Sequence, residues 1–193
     1  MRWANLLPAC EVLSPGTAGE PPNLKSLEQL LSSISMICEE LVPDAWERLR
    51  DIRLRSLRKN PEAFGATFEN MSKFSEPQWR DEFSKVTHLV ASTEEVDVSI
   101  MNIEILDGDF GGTCWIGGCW TDPAYRGVGA LRVMFDYLDQ HAANRGWQKQ
   151  GLGVFQDNYG AIAAYEKLGF VAMGEPQEST RKPGKFYQRM IRG

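Results

Sequence analysis

Apolar side chains recur along the chain at two spacings, one typical of strands and one typical of helices. In residues 33–43, Ile34, Met36 and Cys38 alternate with smaller or polar neighbours, which predicts a strand. Asp44 is then placed to cap a helix, and apolar residues follow it at helical spacing: Trp46, Leu49, Ile52 and Leu57. The pattern therefore predicts a strand and a helix that ends near Lys59, where Asn60-Pro61 follows.

The rest of the chain repeats the same two patterns. Ser75 precedes Glu76-Pro77 as the cap of another short helix, and three strand-like runs follow: HLVAS, DVSIMNIEIL and TCWIGGCWT. A helix over residues 130–145 ends at Gly146, and GLGVF then predicts a strand. Asp157 or Asn158 caps a last helix, after which FVAM and FYQRMI predict two strands. The predicted order is strand, two helices, three strands, helix, strand, helix and two strands.

The amino-terminal region has a different composition from the rest of the chain. Residues 13–23 are rich in Pro, Gly and small side chains, which is typical of a flexible tail or linker, and residues 24–31 could form a short helix. We therefore predict an extension over residues 1–32 and one compact domain over residues 33–193.

Composition narrows the possible classes of protein. Of the 193 residues, 42% are hydrophobic and 24% charged, as in a soluble globular protein, and the net charge of -5 argues against a nucleic-acid partner. The sequence shows no apolar run long enough to span a membrane and no secretory signal, so we expect a cytoplasmic protein. The four cysteines form no CxxC pair and the two histidines suggest no metal cluster, so we expect free thiols and no metal.

The turn before the helix over residues 130–145 contains the sequence Arg126-Gly127-Val128-Gly129. Backbone N–H groups at a helix N-terminus have no intrahelical partners, and two glycines allow an anion to approach them closely. The turn therefore predicts a cradle for phosphate or pyrophosphate, with Arg126 adding charge. A tight turn with a solvated arginine is the alternative.

The first predicted helix carries several cations. Arg48, Arg55, Arg58 and Lys59 lie away from its apolar arc, so they form either a solvated face or a stripe that contacts nucleic acid, and the acidic total favours the solvated face. Arg53 lies on the apolar arc instead, where it either extends from the edge of the core into solvent or faces a cleft.

Two motifs in this order resemble those of the GNAT superfamily of acetyl-CoA-dependent N-acyltransferases. Thr121-Asp122-Pro123 precedes the cradle, which continues through Ala130 and Leu131, and the later segment NYGAIAAYEKLGF contains Asn158, Ala161, Tyr165, Gly169 and Phe170 at the family's spacing. The resemblance covers about residues 34–192. It implies an α/β (α+β) fold with a mixed, mostly antiparallel central sheet of six to seven strands and helices on both faces.

The resemblance also implies roles for individual residues. Backbone groups of Trp120 and Thr121 would bind the pantetheine arm of acetyl-CoA, Asn158 would hydrogen-bond the same arm, and Tyr165 would be the general acid for the departing thiolate. The pyrophosphate would lie on the amides of the remaining cofactor-binding residues: Arg126, Gly127, Val128, Gly129, Ala130 and Leu131. Without the resemblance, Tyr165 at helical spacing with Ala161 and Leu168 is a core aromatic.

Two features depart from the family pattern. Leu131 replaces the usual Gly or Ala. No acid is obviously placed as general base, so the identity of the base stays open among Glu69, Glu104, Asp122 and a water chain.

The implied function is acetyl transfer to the primary amine of a small-molecule or peptide acceptor. A weak or inactive acyl-CoA-binding regulatory domain is the alternative, and a nucleotide-binding α/β domain is a third hypothesis. Net charge could favour cationic amines, and a homodimer is one option for an oligomeric state that stays open.

Overall fold

The computed structural model describes residues 35–94 and 96–193. The predicted extension over residues 1–32, its short helix and the predicted start of the domain at residue 33 lie outside the described residues. Within the described part the sheet has seven strands: β1 Ile37–Glu40, β2 Thr87–Ser92, β3 Asp97–Ile105, β4 Cys114–Thr121, β5 Gln150–Phe155, β6 Val171–Glu178 and β7 Phe186–Arg192. Their order is β1-β2-β3-β4-β5-β7-β6, and each pair is antiparallel except β4 and β5, which confirms the mixed, mostly antiparallel sheet.

The described helices are α1 Trp46–Lys59, α2 Phe68–Met71, α3 Glu76–Lys85, α4 Ala130–Arg145 and α5 Tyr159–Lys167. The four longer ones match the predicted helices, and Gly146 ends α4 with a φ of 75° as expected. The prediction that Asp44 caps α1 is wrong. A 3-10 turn at Pro43–Ala45 precedes the helix, Ala45 is its N-cap, and the Asp44 carboxylate accepts a hydrogen bond from Arg80 of α3.

Helices cover both faces of the sheet, as predicted. On one face α4 and α5 pack against β2 to β5 and β7 in core cluster 1, which contains Phe135, Leu138, Leu152 and Tyr165. On the other face α1 to α3 and their loops pack against β2 to β4 in core cluster 2, which contains Leu49, Phe64, Trp79 and Trp120. The domain therefore has two apolar layers with the sheet between them.

The centre of the sheet opens between β4 and β5. These parallel strands pair at only three positions, from Cys114 opposite Gln150 to Ile116 opposite Leu152, and β4 continues to Thr121 without a β5 partner. On its other edge β4 carries an extra residue against β3, and Gly118 in this bulge has a φ of 58°. The separation of the two strands leaves backbone groups of β4 free to pair with something other than β5.

Three of the four cations predicted on the polar side of α1 bind acids of the same chain. Arg48 contacts Asp97 at 2.7 Å, Lys59 contacts Asp122 at 2.8 Å, and Arg55 lies 3.7 Å from Asp122. These ion pairs fix α1 onto the ends of β3 and β4, so the face is neither a bare cationic stripe nor simply solvated. None of the described helices is long and apolar enough to cross a membrane.

Candidate active site

The predicted cradle is built from glycines in left-handed conformations. Gly127 has a φ of 77° and Gly129 a φ of 97°, values that L-residues rarely adopt, which explains glycine at both positions. A Cβ atom added at either position would meet no atom within 4 Å, so both glycines face open space. Because they are exposed on this side, an anion can approach the backbone of the turn directly.

The N-terminus of α4 has amide groups free for such an anion. Its first hydrogen bond of helical type runs from Val133 N to Gly129 O at 3.0 Å, so the amides of residues 130–132 precede the helical ladder, and Gly129 offers no side-chain cap. The aligned peptide dipoles of this 16-residue helix favour negative charge at the same end. The geometry therefore fits a phosphate group, and the pyrophosphate of CoA is the group that the resemblance implies.

Leu131 does not occupy this cradle. Its half-buried side chain packs against core cluster 1, on the inner side of α4. The larger side chain at this position therefore fills the core and leaves the backbone amide unchanged.

The Arg126 side chain is bound to neighbouring residues of the protein. Its Nε donates to Thr121 O at 3.1 Å, and its Nη2 donates to Asn60 Oδ1 at 3.0 Å. It braces the turn between β4 and α4.

A cavity of about 1090 Å³ opens at the separation of β4 and β5. The β4 residues that line it are Trp115 to Cys119, followed on β5 by Leu152 to Phe155. Trp120 and Thr121, which the resemblance implied for the arm, lie at the far end of β4. Trp120 is buried in core cluster 2 and its carbonyl accepts from Ser99, while the Thr121 carbonyl accepts from Arg126. The β4 residues nearest the strand separation that line the cavity are therefore residues 117–119, which precede Trp120 and Thr121 in the chain.

Asn158 and Tyr165 line the same cavity from α5. Asn158 begins the helix, and its Oδ1 accepts a hydrogen bond from Ala161 N at 3.3 Å, as the predicted cap requires. Tyr165 is buried, with its ring edge-to-face against Phe170 at 5.8 Å between centroids. Burial, and then the neighbouring Cys119 thiol, raise the pKa of Tyr165 well above its usual value. The hydroxyl therefore keeps its proton at neutral pH, as a general acid must.

The three acids considered as general bases lie in different places. Glu69 is exposed and pairs with Lys73, and Asp122 is buried against Lys59 and Arg55 outside the cavity. Burial opposes ionisation of Asp122, but Lys59 outweighs it and lowers the pKa of this carboxyl. Glu104 of β3 lines the cavity. Of the three, Glu104 is the one that the fold places beside the separated strands.

Residues 117–119 and Arg53 line the cavity although the sequence did not single them out as site residues. The Gly117-Gly118 pair inside a strand was a signal for the first group, because glycine in a strand interior marks a bulge or a close approach of backbone. The sequence left two interpretations of Arg53 open, and the structure supports the one in which it faces a cleft.

In the described part of the chain, no group of three or more His, Cys, Asp or Glu residues is arranged to hold a metal. Cys38, Cys114 and Cys119 are free thiols.

Comparisons with known proteins agree with this geometry. The sequence model described as "Acetyltransferase (GNAT) family" matches residues 46–170. A GNAT-family acetyltransferase from Streptococcus pneumoniae superposes with a TM-score of 0.66 at 14% identity, covering 82% of this chain and 98% of that one. A spermidine N-acetyltransferase from Vibrio cholerae, solved with CoA and spermine, has a TM-score of 0.62 at 14% identity, with 81% and 94% covered.

A third solved structure is the ribosomal-protein-S18-alanine N-acetyltransferase of Escherichia coli, with a TM-score of 0.57 at 18% identity over 81% of this chain and 92% of that one. At these identities the superpositions establish the fold. Among curated proteins no sequence matches.

Proposed function

The chain belongs to the GNAT family of acetyltransferases, and from this premise we propose that it transfers the acetyl group of acetyl-CoA to a primary amine. Direct attack of the neutral amine on the acetyl carbonyl is the proposed mechanism, with no covalent enzyme intermediate. The observation that carries the proposal is the separation of β4 from β5, at which a cavity containing Tyr165 opens, together with the glycine cradle that follows β4 along the chain.

Each feature fits a different part of the cosubstrate. The amides at the N-terminus of α4 would bind the pyrophosphate, since the helix offers donors there and no side chain competes for them. The edge of β4 that has left β5 would hydrogen-bond the amides of the pantetheine arm in the manner of an added strand. When bound, acetyl-CoA supplies an acetyl group on a thioester, which an amine can attack.

Side chains around the cavity account for the proton transfers. The Tyr165 hydroxyl would donate its proton to the departing thiolate, since it lines the cavity and is protonated at neutral pH. Glu104 would accept the proton that the attacking amine loses, directly or through water, because it lines the same cavity. Positioning of the amine against the carbonyl would supply much of the acceleration. We further propose that this reaction takes place in the cytoplasm on a small-molecule or peptide amine.

The test is an acetylation assay with a broad amine panel, read by free-thiol release and by mass spectrometry of the products. We expect Tyr165→Phe to lower kcat by about 100-fold, because the thiolate then leaves without a proton donor. CoA affinity measured by calorimetry should stay within experimental error, since the ring and its packing are kept. Tyr137→Phe is the matched control, because Tyr137 packs against core cluster 1 from α4 and stacks on His141.

Each other outcome has a defined meaning. Failure of the wild-type protein to bind CoA would contradict the cofactor assignment. Binding of CoA without transfer to any amine would identify a CoA-binding domain without turnover. Equal kcat values for Tyr165→Phe and the wild type would remove Tyr165 from the mechanism while leaving the acetyltransferase function intact.

A further inference from the structure

Arg53 is the cation of α1 that extends into the cavity. Its guanidinium stacks on the ring of Phe64, with 4.7 Å between Cζ and the ring centroid. The Nη1 atom is buried and would lie 3.2 Å from a Cβ atom added to Gly118. Arg53 therefore faces the stretch of β4 that lines the separation from β5.

Among the described residues, this guanidinium has no carboxylate at ion-pair distance although it is largely buried, whereas Arg58, which also lacks an ion pair, is exposed to solvent. Arg48, Arg55 and Lys59 each have a carboxylate within ion-pair distance. Among the residues that the structure describes, Nη1 of Arg53 has no hydrogen-bond partner at all. Glu82 is the acid that acts on Arg53 electrostatically, but its carboxylate is bound to Lys85 at 2.8 Å. A buried, unpaired cationic donor is unfavourable by itself, which is the pattern of a site that binds an anion from outside.

Two further donors surround the same space. The Asn102 Nδ2 atom would lie 3.3 Å from the added Cβ of Gly118, beside Nη1 of Arg53. Arg181, in the turn between β6 and β7, lines the cavity and packs against Gly65. Burial, together with the charge of Arg181, lowers the pKa of Arg53 to about 10, so it remains a cation at neutral pH. Two guanidinium groups, of Arg53 and Arg181, thus line a cavity whose lining also includes the carboxylates of Glu82, Glu104 and Glu178.

We propose that the acceptor is an amine that carries a carboxylate, and that Arg53 binds this carboxylate with Asn102 beside it and Arg181 at the mouth of the cavity. The planar guanidinium fork matches the two oxygens of a carboxylate. Because Arg53 touches β4 where the strands separate, the carboxylate and the attacking amine are only a few bonds apart, as in a free amino acid. This inference rests on the acetyltransferase function proposed above, and it names the substrate class for that site.

The experiment compares matched acceptors with the full-length protein. Each proteinogenic L-amino acid and β-alanine is assayed against its own carboxamide, with spermidine as a cationic amine. We expect at least one amino acid to exceed its carboxamide by about tenfold or more in kcat/KM, because charge-assisted hydrogen bonds are roughly twice as strong as neutral ones. Faster acetylation of the carboxamides or of spermidine would overturn the inference.

Variants assign the preference to Arg53. Arg53→Met should remove the difference between acid and carboxamide, mainly through KM, while Arg53→Lys should keep a reduced preference. Arg58→Met is the control, because Arg58 belongs to the same helix and stacks on Phe68 but is exposed. A thermal melt distinguishes a role of Arg53 in substrate binding from a role in stability. Because Arg53→Met removes an unpaired buried charge, its melting temperature should equal or exceed that of the wild type. An unchanged acid preference in Arg53→Met would contradict the proposal.

Separate measurements test the carboxylate site and the acetyltransferase function. If CoA binds and no amine is acetylated, the transferase function is wrong, and the carboxylate site is then tested by calorimetry of the same amino acids with the protein–CoA complex. Binding that Arg53→Met abolishes would support the site. No detectable binding of any amino acid to the wild-type complex would overturn it.

Discussion

His88 is a buried side chain that contributes to the pH dependence of the stability of this fold. It lies on β2 with its ring edge-to-face against Phe83, and its exposed fraction is 4%. Burial lowers the pKa of His88 to about 4, with Arg53 adding to the decrease and Glu82 opposing it. In the unfolded chain the pKa of histidine is about 6.5. The unfolded state therefore binds more protons between these two values, and protonation at this site favours unfolding.

From this difference we expect the free energy of unfolding to fall as the pH decreases from 6.5 to 4, by about 2 kcal/mol from this residue. His88→Gln should remove much of that decrease. The chain has two histidines, so His141→Gln, at the half-buried histidine of α4, is the matched control. Urea denaturation at pH 7, 6, 5 and 4 measures the effect. Identical slopes for His88→Gln and the wild type would contradict it.

At the scale of single elements, the turn before α4 depends on backbone conformation alone. Gly129 has a φ of 97° and no neighbour near its Cβ position, so a side chain there would be strained without any steric clash. We expect Gly129→Ala to lower the free energy of unfolding by about 1 kcal/mol and to weaken CoA binding, because the first amides of α4 would turn away from the anion.

Gly160 in α5 provides the comparison. A Cβ atom there also meets nothing within 4 Å, but its backbone is helical, so Gly160→Ala should leave stability unchanged or raise it by about 0.5 kcal/mol. Denaturation curves of both variants test the contrast. If Gly129→Ala were as stable as Gly160→Ala, left-handed geometry would not explain glycine at position 129.

The elements themselves could be predicted because their signals are local. Apolar spacing identifies α1 and α4, Gly146 marks the end of α4, and strand-like runs of residues identify β2 to β5. Asp44 was misplaced because a 3-10 turn at Pro43–Ala45 precedes α1, and no local pattern distinguishes that turn from the first turn of the helix. Which partner an acidic side chain binds is likewise determined by how the helices pack, since Asp44 binds Arg80 of α3.

The site was harder to predict because it depends on register between strands. Cys114 and Ile116 face core cluster 1, and strict alternation would put Trp120 on the same side. The extra residue in the β4 bulge reverses this alternation, so Trp120 enters core cluster 2 while Cys119 meets Tyr165. The Gly-Gly pair indicated a bulge, but its effect on the following side chains, and the separation from β5, arise only in the assembled sheet.

At the scale of the whole molecule, Asn60 connects the two sides of the sheet. It follows the last residue of α1, and its Oδ1 accepts hydrogen bonds from Trp120 Nε1 at 2.9 Å and from Arg126 Nη2 at 3.0 Å. Arg126 in turn binds the Thr121 carbonyl at the end of β4. One amide oxygen therefore ties the helix that carries Arg53 to the turn that forms the cradle.

We expect Asn60→Ala to weaken CoA binding by roughly threefold to tenfold although Asn60 lies at the end of α1 and outside the cradle. The buried Trp120 indole would lose its partner at a cost of about 1–2 kcal/mol, and Arg126 would no longer brace the turn. Asn60→Asp keeps the acceptor oxygen and adds a charge-assisted bond to Arg126, so it should bind CoA nearly as tightly as the wild type. Glu62→Ala is the control, because it removes only the bond that Asn60 Nδ2 donates to Glu62. Calorimetry with CoA measures all three, and wild-type affinity in Asn60→Ala would show that the cradle holds its shape independently of α1.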